Sequence, residues 1–533
     1  MGTPVYLVTS GDLREAANRT CWPAQEELER LLTLRLAERG VEVRRVVPVD
    51  PVQGHGFISS QRMGMDAFLS IPPDSPLIFA TAAWQYSHHV LPGLRSHRGP
   101  ILTLANWSGQ WPGLVGLLNL NGCLVKAGVR YSTLWSETFD DAFFLNGLQQ
   151  WLDEGVVQHD VSHVRDFSPD RIAGSVADQA GRIADDLLRR KAILGVFDEG
   201  CMGMYNAILD DELLNPMGIY KERLSQSALL ARMRTIAAED AITVRAWLDA
   251  AGLKFVTGAD PRTDLTDAQI LDQCRMYIAA VRMAHDFGCD AIGIQYQQGL
   301  KDMAPASDLV EGLLNNPNRP PVYSETGDLL YGGLALPHFN EVDEGAAVDA
   351  LLTNRLWLAM GLDPSTTLHD LRWGETLLVD GQEQFVWVLQ ISGAAPASHL
   401  RGGYAGAVSE RQPPMYFPMG GGTLKGVGRA GEIVWSRVYQ RAGALHMDIG
   451  TGTVVELSDS ETARRWNQTT VQWPIVNTVM HGISRDAFMA RHPANHVSIA
   501  YADDRASAQQ ALAMKAMLFH QLGGTVHLCG DAI

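Results

Sequence analysis

Short apolar strands alternate with helices over much of the chain, and this alternation is the feature that most restricts the fold. The segments 4–9 (PVYLVT), 77–83 (LIFATAA) and 193–197 (ILGVF) have the composition of buried strands. Helical periodicity fills stretches between such segments, as in 24–39 (AQEELERLLTLRLAER) and 168–190. Strands that alternate with helices indicate a parallel sheet. We therefore predict an α/β chain that contains two doubly wound parallel-sheet units.

The residue composition and the spacing of apolar segments change after the second of these units. The segments 385–392 (FVWVLQIS), 432–440 (EIVWSRVYQ) and 496–502 (HVSIAYA) are short, β-branched and aromatic, with glycine-rich turns between them. This pattern is typical of a mostly antiparallel β-rich domain. The predicted domains are an N-terminal α/β domain (1–167), a second α/β domain (168–370) and a β-rich C-terminal domain (371–533).

Charge and cysteine usage restrict the partners and the compartment. The 533 residues include 60 Asp and Glu against 43 Lys and Arg, a net charge of −17 that disfavours nucleic acid and anionic membranes as partners. No basic segment followed by an apolar run opens the chain, which predicts a cytoplasmic protein without a signal peptide. The cysteines form no CxxC pair, so we expect reduced thiols and no cysteine-based zinc site. They are Cys21, Cys123, Cys201, Cys274, Cys289 and Cys529.

The stretch 339–372 concentrates acidic residues around a predicted helix. Glu341 and Asp343 precede an apolar-periodic run that predicts a helix from Glu344 to Met360, and Asp370 follows in a short β-like segment. A carboxylate at a helix start stays ionised, and a second one at the next strand end would meet it where open α/β sheets bind ligands. The alternative is a solvated helix cap followed by an aspartate in a turn.

Aromatic and amide side chains follow several predicted strands. Trp84 lies directly after one strand, the segment 106–113 (NWSGQWPG) follows another, and Gln295 and Gln297 end a third. Such groups suit a polyol ligand, because rings stack on C–H faces and amides bind hydroxyl groups. The alternative is that these residues belong to the core or to solvated strand ends. No GxGxxG follows the first strand, so a dinucleotide site there is not predicted.

Two carboxylates and one histidine would make an open, oxygen-rich metal site. Coordination of this kind suits Mn²⁺ or Mg²⁺ better than zinc. His496, in 493–496 (PANH), is the preferred histidine, with His399, His446 and His481 as competitors. A lone histidine is also often a structural residue, and this alternative remains open from the residues alone.

Three stretches in order resemble the L-fucose isomerase and L-arabinose isomerase family. They are 291–309 (AIGIQYQQGLKDMAPASDL), the EVD–helix–HDLRW block from Glu341 to Trp373, and 493–502 (PANHVSIAYA). Lesser matches are 416–427 (YFPMGGGTLKGV) and 472–474 (QWP). The family has two α/β units and a β-rich C-terminal unit, which agrees with the strand pattern of this chain.

The resemblance implies an intramolecular oxidoreductase, an aldose–ketose isomerase that acts on a 6-deoxyhexose or a pentose through an ene-diol. Glu341, Asp370 and His496 would hold Mn²⁺, with Mg²⁺ or Co²⁺ as alternatives, and the two carboxylates would also be catalytic. The implied substrate contacts are Gln295, Gln297, Trp473, Asn495 and Trp84, the last reaching in from a neighbouring subunit. The family also implies a homo-oligomer, with a hexamer as the expected form.

The chain departs from the family pattern near the first carboxylate. An added segment, 324–339 (SETGDLLYGGLALPHF), makes Glu325 an alternative to Glu341. We prefer Glu341 because the predicted helix follows it directly. Two other functions are consistent with the residues, a glycoside hydrolase that uses Glu341 and Asp370 as acid and base, and a catalytically inactive sugar-binding protein.

Overall fold

The computed structural model describes residues 4–200 and 202–532, so Cys201 lies outside the described residues. The strands are β1 (Val5–Val8), β2 (Val43–Arg45), β3 (Leu77–Thr81), β4 (Ile101–Asn106), β5 (Ser132–Ser136), β6 (Val164–Asp166), β7 (Ala192–Phe197), β8 (Ile219–Leu224), β9 (Lys254–Phe255), β10 (Ala291–Ile294), β11 (Thr367–Val379), β12 (Gln382–Gln390), β13 (Val408–Ser409), β14 (Gly431–Arg441), β15 (Ala444–Val454), β16 (Ile475–Met480), β17 (His496–Tyr501) and β18 (Thr525–Cys529). The helices are α1 (Glu15–Ala37), α2 (Gln61–Phe68), α3 (Leu91–Ser96), α4 (Gly113–Ala127), α5 (Ala142–Glu154), α6 (Gly174–Arg190), α7 (Asp211–Leu214), α8 (Gln226–Met233), α9 (Ala238–Ala250), α10 (Asp267–Asp286), α11 (Asp308–Leu314), α12 (Glu344–Met360), α13 (Asp459–Asn467), α14 (Arg485–Arg491) and α15 (Arg505–Gln521).

Two parallel sheets form the α/β part of the chain. The first has five strands in the order β2-β1-β3-β4-β5, and the second has three strands in the order β10-β7-β8. Every residue of β3 and of β10 is buried, as expected for parallel strands covered on both faces. The predicted α/β class is therefore confirmed. The loops that leave the carboxyl ends of these strands carry Arg14, Trp84 and Gln297, which return below.

The C-terminal part contains a mixed, β-rich sheet that closes on itself. Six strands pair in the order β14-β17-β11-β12-β16-β15, and a further pairing of β14 with β15 completes a ring of antiparallel strands. Outside the ring, β18 pairs in parallel with β15, and β6 pairs with β18. Closure gives each ring strand a hydrogen-bonding neighbour on both sides.

Two predicted domain boundaries do not coincide with breaks in the structure. Strand β11 begins at Thr367 and runs to Val379, so the predicted boundary at residue 370 falls inside it. Its pairing with β17 already extends from Thr367 to Asp370, and for this reason Asp370 belongs to the ring and not to a strand end of the second unit. Likewise, β6 lies within the predicted first domain but adds to the C-terminal sheet through β18.

The first ten residues of helix α12 are buried. All residues from Glu344 to Thr353 are buried, which is the pattern of a helix surrounded by protein on every side. Because one of them is the charged Asp349, the interior supplies a counter-charge, and Lys515 Nζ lies 2.7 Å from its Oδ1. The prediction of a helix from Glu344 to Met360 is confirmed at both ends.

The described cysteines are free and buried thiols. They are Cys21, Cys123, Cys274, Cys289 and Cys529. Burial raises the pKa of Cys21 to about 12, so this thiol stays protonated at neutral pH. None of the described helices combines the length and the apolar character that a bilayer crossing requires.

Candidate functional site

Asp370 and His496 are brought together by strand pairing. They are directly opposite each other in the antiparallel pair β11–β17, so their side chains project from the same face of the ring. Both residues are buried, and His496 Nε2 lies 3.4 Å from Asp370 Oδ1. Two residues that are remote in sequence thus become neighbours through the register of one strand pair.

Glu341 reaches the same point from a turn that precedes α12. Its Oε2 lies 3.7 Å from His496 Nε2. The backbone φ is +56° at Glu341 and +54° at Val342, a left-handed conformation that is strained for a β-branched residue. Strain of this kind is typical of functional sites. The alternative carboxylate, Glu325, is 76% exposed and pairs with Arg232 on the surface, so it is not part of this cluster.

A buried carboxylate fixes the orientation of the His496 ring. His496 Nδ1 lies 2.7 Å from Asp343 Oδ2, and Arg437 Nη1 lies 2.5 Å from the same oxygen. The other oxygen of Asp343 accepts a hydrogen bond from the amide of Ala346, which caps α12. With Nδ1 donating to Asp343, the neutral imidazole presents the lone pair of Nε2 to Glu341 and Asp370.

The imidazole nitrogen that faces the two carboxylates is buried and has no hydrogen-bond partner. The separations of 3.4 and 3.7 Å from His496 Nε2 exceed those of ordinary hydrogen bonds. Two ligands of one cation, each about 2.1 Å from it, lie about 3.0 to 3.6 Å apart. The distance from His496 Nε2 to Asp370 lies within this range, and the distance to Glu341 lies just above it.

The three side chains approach one another without forming a complete metal centre. Among residues 4–200 and 202–532, no group of three or more His, Cys, Asp or Glu side chains is arranged so that it could hold a metal ion. The metal assignment therefore depends on the chemistry of the donors and on the orientation of His496. An outer carboxylate that fixes the tautomer of a histidine is the usual partner of a metal-binding imidazole.

Burial and mutual proximity shift the proton affinities of the cluster. Burial raises the pKa of Glu341 to about 8, which His496 opposes and Asp370 reinforces. Burial likewise raises the pKa of Asp370. Burial acts against the charged form of His496, but the hydrogen bond with Asp343 and the nearby carboxylates raise its pKa. Although burial opposes ionisation of Asp343, Arg437 and His496 hold its pKa well below its usual range. The cluster thus retains protons that a divalent cation would displace.

Mn²⁺ affinity is expected to fall as the pH is lowered from about 8 to about 6, by up to about tenfold per pH unit for each proton released. The reason is that Glu341 must lose its proton, with a pKa of about 8, before it binds a cation. The same raised pKa predicts the opposite trend for the metal-free chain, in which the contribution of Glu341 to stability is lost as the pH rises from about 4.5 to about 8. Calorimetric titration with Mn²⁺ across this pH range measures the first effect. A constant affinity would contradict the assignment of Glu341.

A pocket opens directly above the carboxylates. Its cavity volume is about 30 Å³, and it is lined by Arg14, Trp84, Pro112, Met202, Gln297, Glu341, Asp370, Ser392, Tyr416, Phe417 and Trp473. Three predicted substrate contacts, Trp84, Gln297 and Trp473, are therefore at the pocket wall. Trp84 reaches it from the same chain as the carboxylates, because the carboxyl end of β3 faces the ring, and no neighbouring copy is needed to bring it there.

The two other predicted substrate contacts do not line this pocket in the described structure. Gln295 is fully buried, and its Nε2 contacts the carbonyl oxygens of Gly200 at 3.3 Å and Glu341 at 3.5 Å. Asn495 is also buried, with its Nδ2 3.5 Å from Asp370 Oδ1. Both amides stand behind the carboxylates, where they support the backbone or the side chain of a candidate ligand.

No protein-family model matches the chain, and no curated protein matches it. Its function is therefore inferred from the geometry of this site.

Several residues of the site are not identified by sequence reasoning. Arg14 lines the pocket, where Asp12 binds its Nε and Nη2 and its Nη1 donates to Gln297 Oε1 at 2.6 Å. Arg437 supports Asp343 from the middle of β14. An arginine among the mostly apolar residues 433–439 (IVWSRVY) is a signal of a buried charge, but nothing in the sequence identifies its partner.

Proposed function

We propose that the chain is a metal-dependent aldose–ketose isomerase. The observation that supports it best is the buried His496, oriented by Asp343, with Nε2 facing Glu341 and Asp370 below an aromatic-lined pocket. An isomerase of this kind has to hold two adjacent oxygens of a sugar and move a proton between two carbons. Buried carboxylates and an oriented imidazole provide the groups that this chemistry uses.

In this proposal Glu341, Asp370 and His496 hold Mn²⁺, with Mg²⁺ and Co²⁺ as alternatives. Bound there, the ion would polarise the carbonyl and the adjacent hydroxyl oxygen of the sugar. One of the two carboxyl groups, Glu341 or Asp370, would take the proton from C2 while the other gives a proton to the carbonyl oxygen, which yields the ene-diol. The first would then give its proton to C1, and the second would take the hydroxyl proton from O2. Asp343 keeps the proton of His496 on Nδ1 and does not touch the sugar.

The walls of the pocket support a small polyol as the substrate. The rings of Trp84 and Trp473 provide apolar faces for C–H groups, and Trp473 is held by a hydrogen bond of 2.8 Å from Nε1 to Gln412 Oε1. Arg14 Nη1 donates a hydrogen bond to Gln297 Oε1, so Nε2 of Gln297 remains as a donor for a hydroxyl group of the sugar. A 6-deoxyhexose or a pentose meets both requirements.

The finer features predicted from the family resemblance belong to the same proposal. These are a doubly wound arrangement of both α/β units, a homo-oligomer of six copies and a cytoplasmic location. Each goes beyond what the structure describes, which is an α/β fold with parallel sheets and a mixed sheet.

Conversion of aldose to ketose in the presence of Mn²⁺ is the expected activity. It is measured with fucose, arabinose, ribose and xylose as substrates, before and after treatment with a chelator. The chelator should abolish conversion, and added Mn²⁺ should restore it. The reason is that, in this proposal, the sugar oxygens bind to the ion and not to the three side chains. Full activity in the chelator would reject the metal-dependent isomerase. Cleavage of aryl glycosides under the same conditions would favour the hydrolase instead.

A further inference from the structure

The turn that carries Glu341 requires support from outside itself. Glu341 and Val342 both have positive φ, +56° and +54°. Within the turn, the amide of Val342 donates to the carbonyl of Phe339 at 3.2 Å, and the amide of Asp343 donates to that of Asn340 at 3.1 Å. Two hydrogen bonds of ordinary length do not offset the backbone strain of two left-handed non-glycine residues. Surrounding structure must therefore keep the turn in this conformation.

Helix α11 provides a buried carboxylate that contacts the turn. Glu311 is 1% exposed, and its Oε2 accepts a hydrogen bond from Asn340 Nδ2, directly before Glu341. Its Oε1 accepts a hydrogen bond from Ser307 Oγ, so both carboxylate oxygens are engaged. His338 Nδ1 lies 3.5 Å from Oε2 on the side where the chain enters the turn. The carboxylate thus fixes one side chain of the turn from a rigid helix.

Two glycines make room for this contact. A Cβ at Gly393 would lie 2.6 Å from Glu311 Oε2, and a Cβ at Gly312 would lie 2.8 Å from the carbonyl oxygen of Ala395. Both approaches are closer than real side chains allow, so the loop that follows β12 packs against α11 only because glycine occupies both positions. The position of the Glu311 carboxylate is consequently closely defined.

We infer that Glu311 is a positioning residue. Its hydrogen bond with Asn340 holds Glu341 in its left-handed turn, facing His496. The inference rests on the proposed function, since Glu341 is there a ligand and a proton carrier. Glu311 itself is not expected to touch the sugar or the ion. Its effect passes through the backbone of Asn340 and Glu341, and it should appear both in cation affinity and in the rigidity of the turn.

The test replaces Glu311 by alanine and follows two readouts. Calorimetric titration should show an Mn²⁺ affinity lower by about 10- to 100-fold, the usual effect of losing an outer-shell partner. In the metal-free chain, amide hydrogen exchange in the segment 339–345 should accelerate by at least about tenfold, because the turn opens more often. Glu311→Gln should restore both readouts to within about threefold of the wild type, since its amide oxygen still accepts from Asn340.

Asp448→Ala is the matched control. Asp448 is 2% exposed and accepts hydrogen bonds of 2.9 Å from Tyr439 and Arg491, outside the pocket. Its loss should destabilise the chain without changing Mn²⁺ affinity or exchange in 339–345. If the Glu311→Ala chain does not fold, Asn340→Ala takes its place in the test, because it removes the donor of the same hydrogen bond.

Unchanged exchange in 339–345 in a folded Glu311→Ala or Asn340→Ala chain would overturn the inference, whatever the metal affinity. A wild-type chain that binds no Mn²⁺ would instead reject the proposed function, while the exchange measurement still decides whether Glu311 holds the turn.

Discussion

Asp370→Asn is expected to give a folded chain whose Mn²⁺-dependent isomerase activity is about 10² to 10⁴-fold lower. The amide has the shape of the carboxylate but neither its charge nor its capacity to take a proton. Stability should not fall, because burial raises the pKa of Asp370 and the substitution removes a charge that the interior disfavours. The measurements are kcat/KM in the presence of Mn²⁺ and a thermal melting curve.

Glu325→Gln is the control for this substitution. Glu325 is 76% exposed and pairs with Arg232, so its replacement should change neither activity nor melting temperature. The comparison also decides between the two carboxylates that the sequence offers for the first ligand. Wild-type activity in Asp370→Asn, or loss of activity in Glu325→Gln, would contradict the site described above.

Asp343→Asn is expected to weaken both the cation site and the fold. Arg437 is fully buried beside Asp343, and leaving it without a counter-charge costs about 3–5 kcal/mol of unfolding free energy. The same change weakens the acceptor of His496 Nδ1–H, so Mn²⁺ affinity should fall by about 10- to 100-fold. Asparagine still caps a helix well, and loss of the α12 cap is therefore not the cause. Denaturant unfolding and calorimetric titration measure the two effects.

The matched control is Asp448→Asn, which also removes the charge of a buried carboxylate paired with an arginine. We expect a loss of stability there too, but an unchanged Mn²⁺ affinity, because Asp448 does not contact His496. If Asp343→Asn binds Mn²⁺ as tightly as the wild type, Asp343 does not orient the histidine of a metal site.

Local patterns predict the elements of this fold well. Helix Glu344–Met360 occurs with the predicted bounds, since apolar spacing and a following glycine define it within the segment itself. Helix α1 begins at Glu15, well before the predicted start at residue 24, and continues through Pro23. The boundary predicted at residue 370 does not match the start of β11 at Thr367. Pairing with β17, a strand that lies far along the chain, determines where β11 begins.

The candidate site shows the same division between local and long-range information. Residue type and the family resemblance single out Glu341, Asp370 and His496, and the structure brings these three together. The sequence does not identify the contacts that orient these three residues. The contact of Arg437 with Asp343 depends on how α12 docks on the ring, and no spacing within the sequence encodes that docking. The register of β11 against β17, on which the meeting of Asp370 and His496 depends, is likewise a property of the whole sheet.

The ring of strands and the parallel-sheet units each contribute only some residues of the candidate site. Asp370 and His496 belong to the ring, whereas Glu341, Arg14 and Trp84 come from loops of the parallel-sheet units. We expect a fragment that ends between the two to lack the proposed centre, because each part carries only some of its groups. We therefore expect the proposed centre to form only when the ring and the parallel-sheet units have packed against each other.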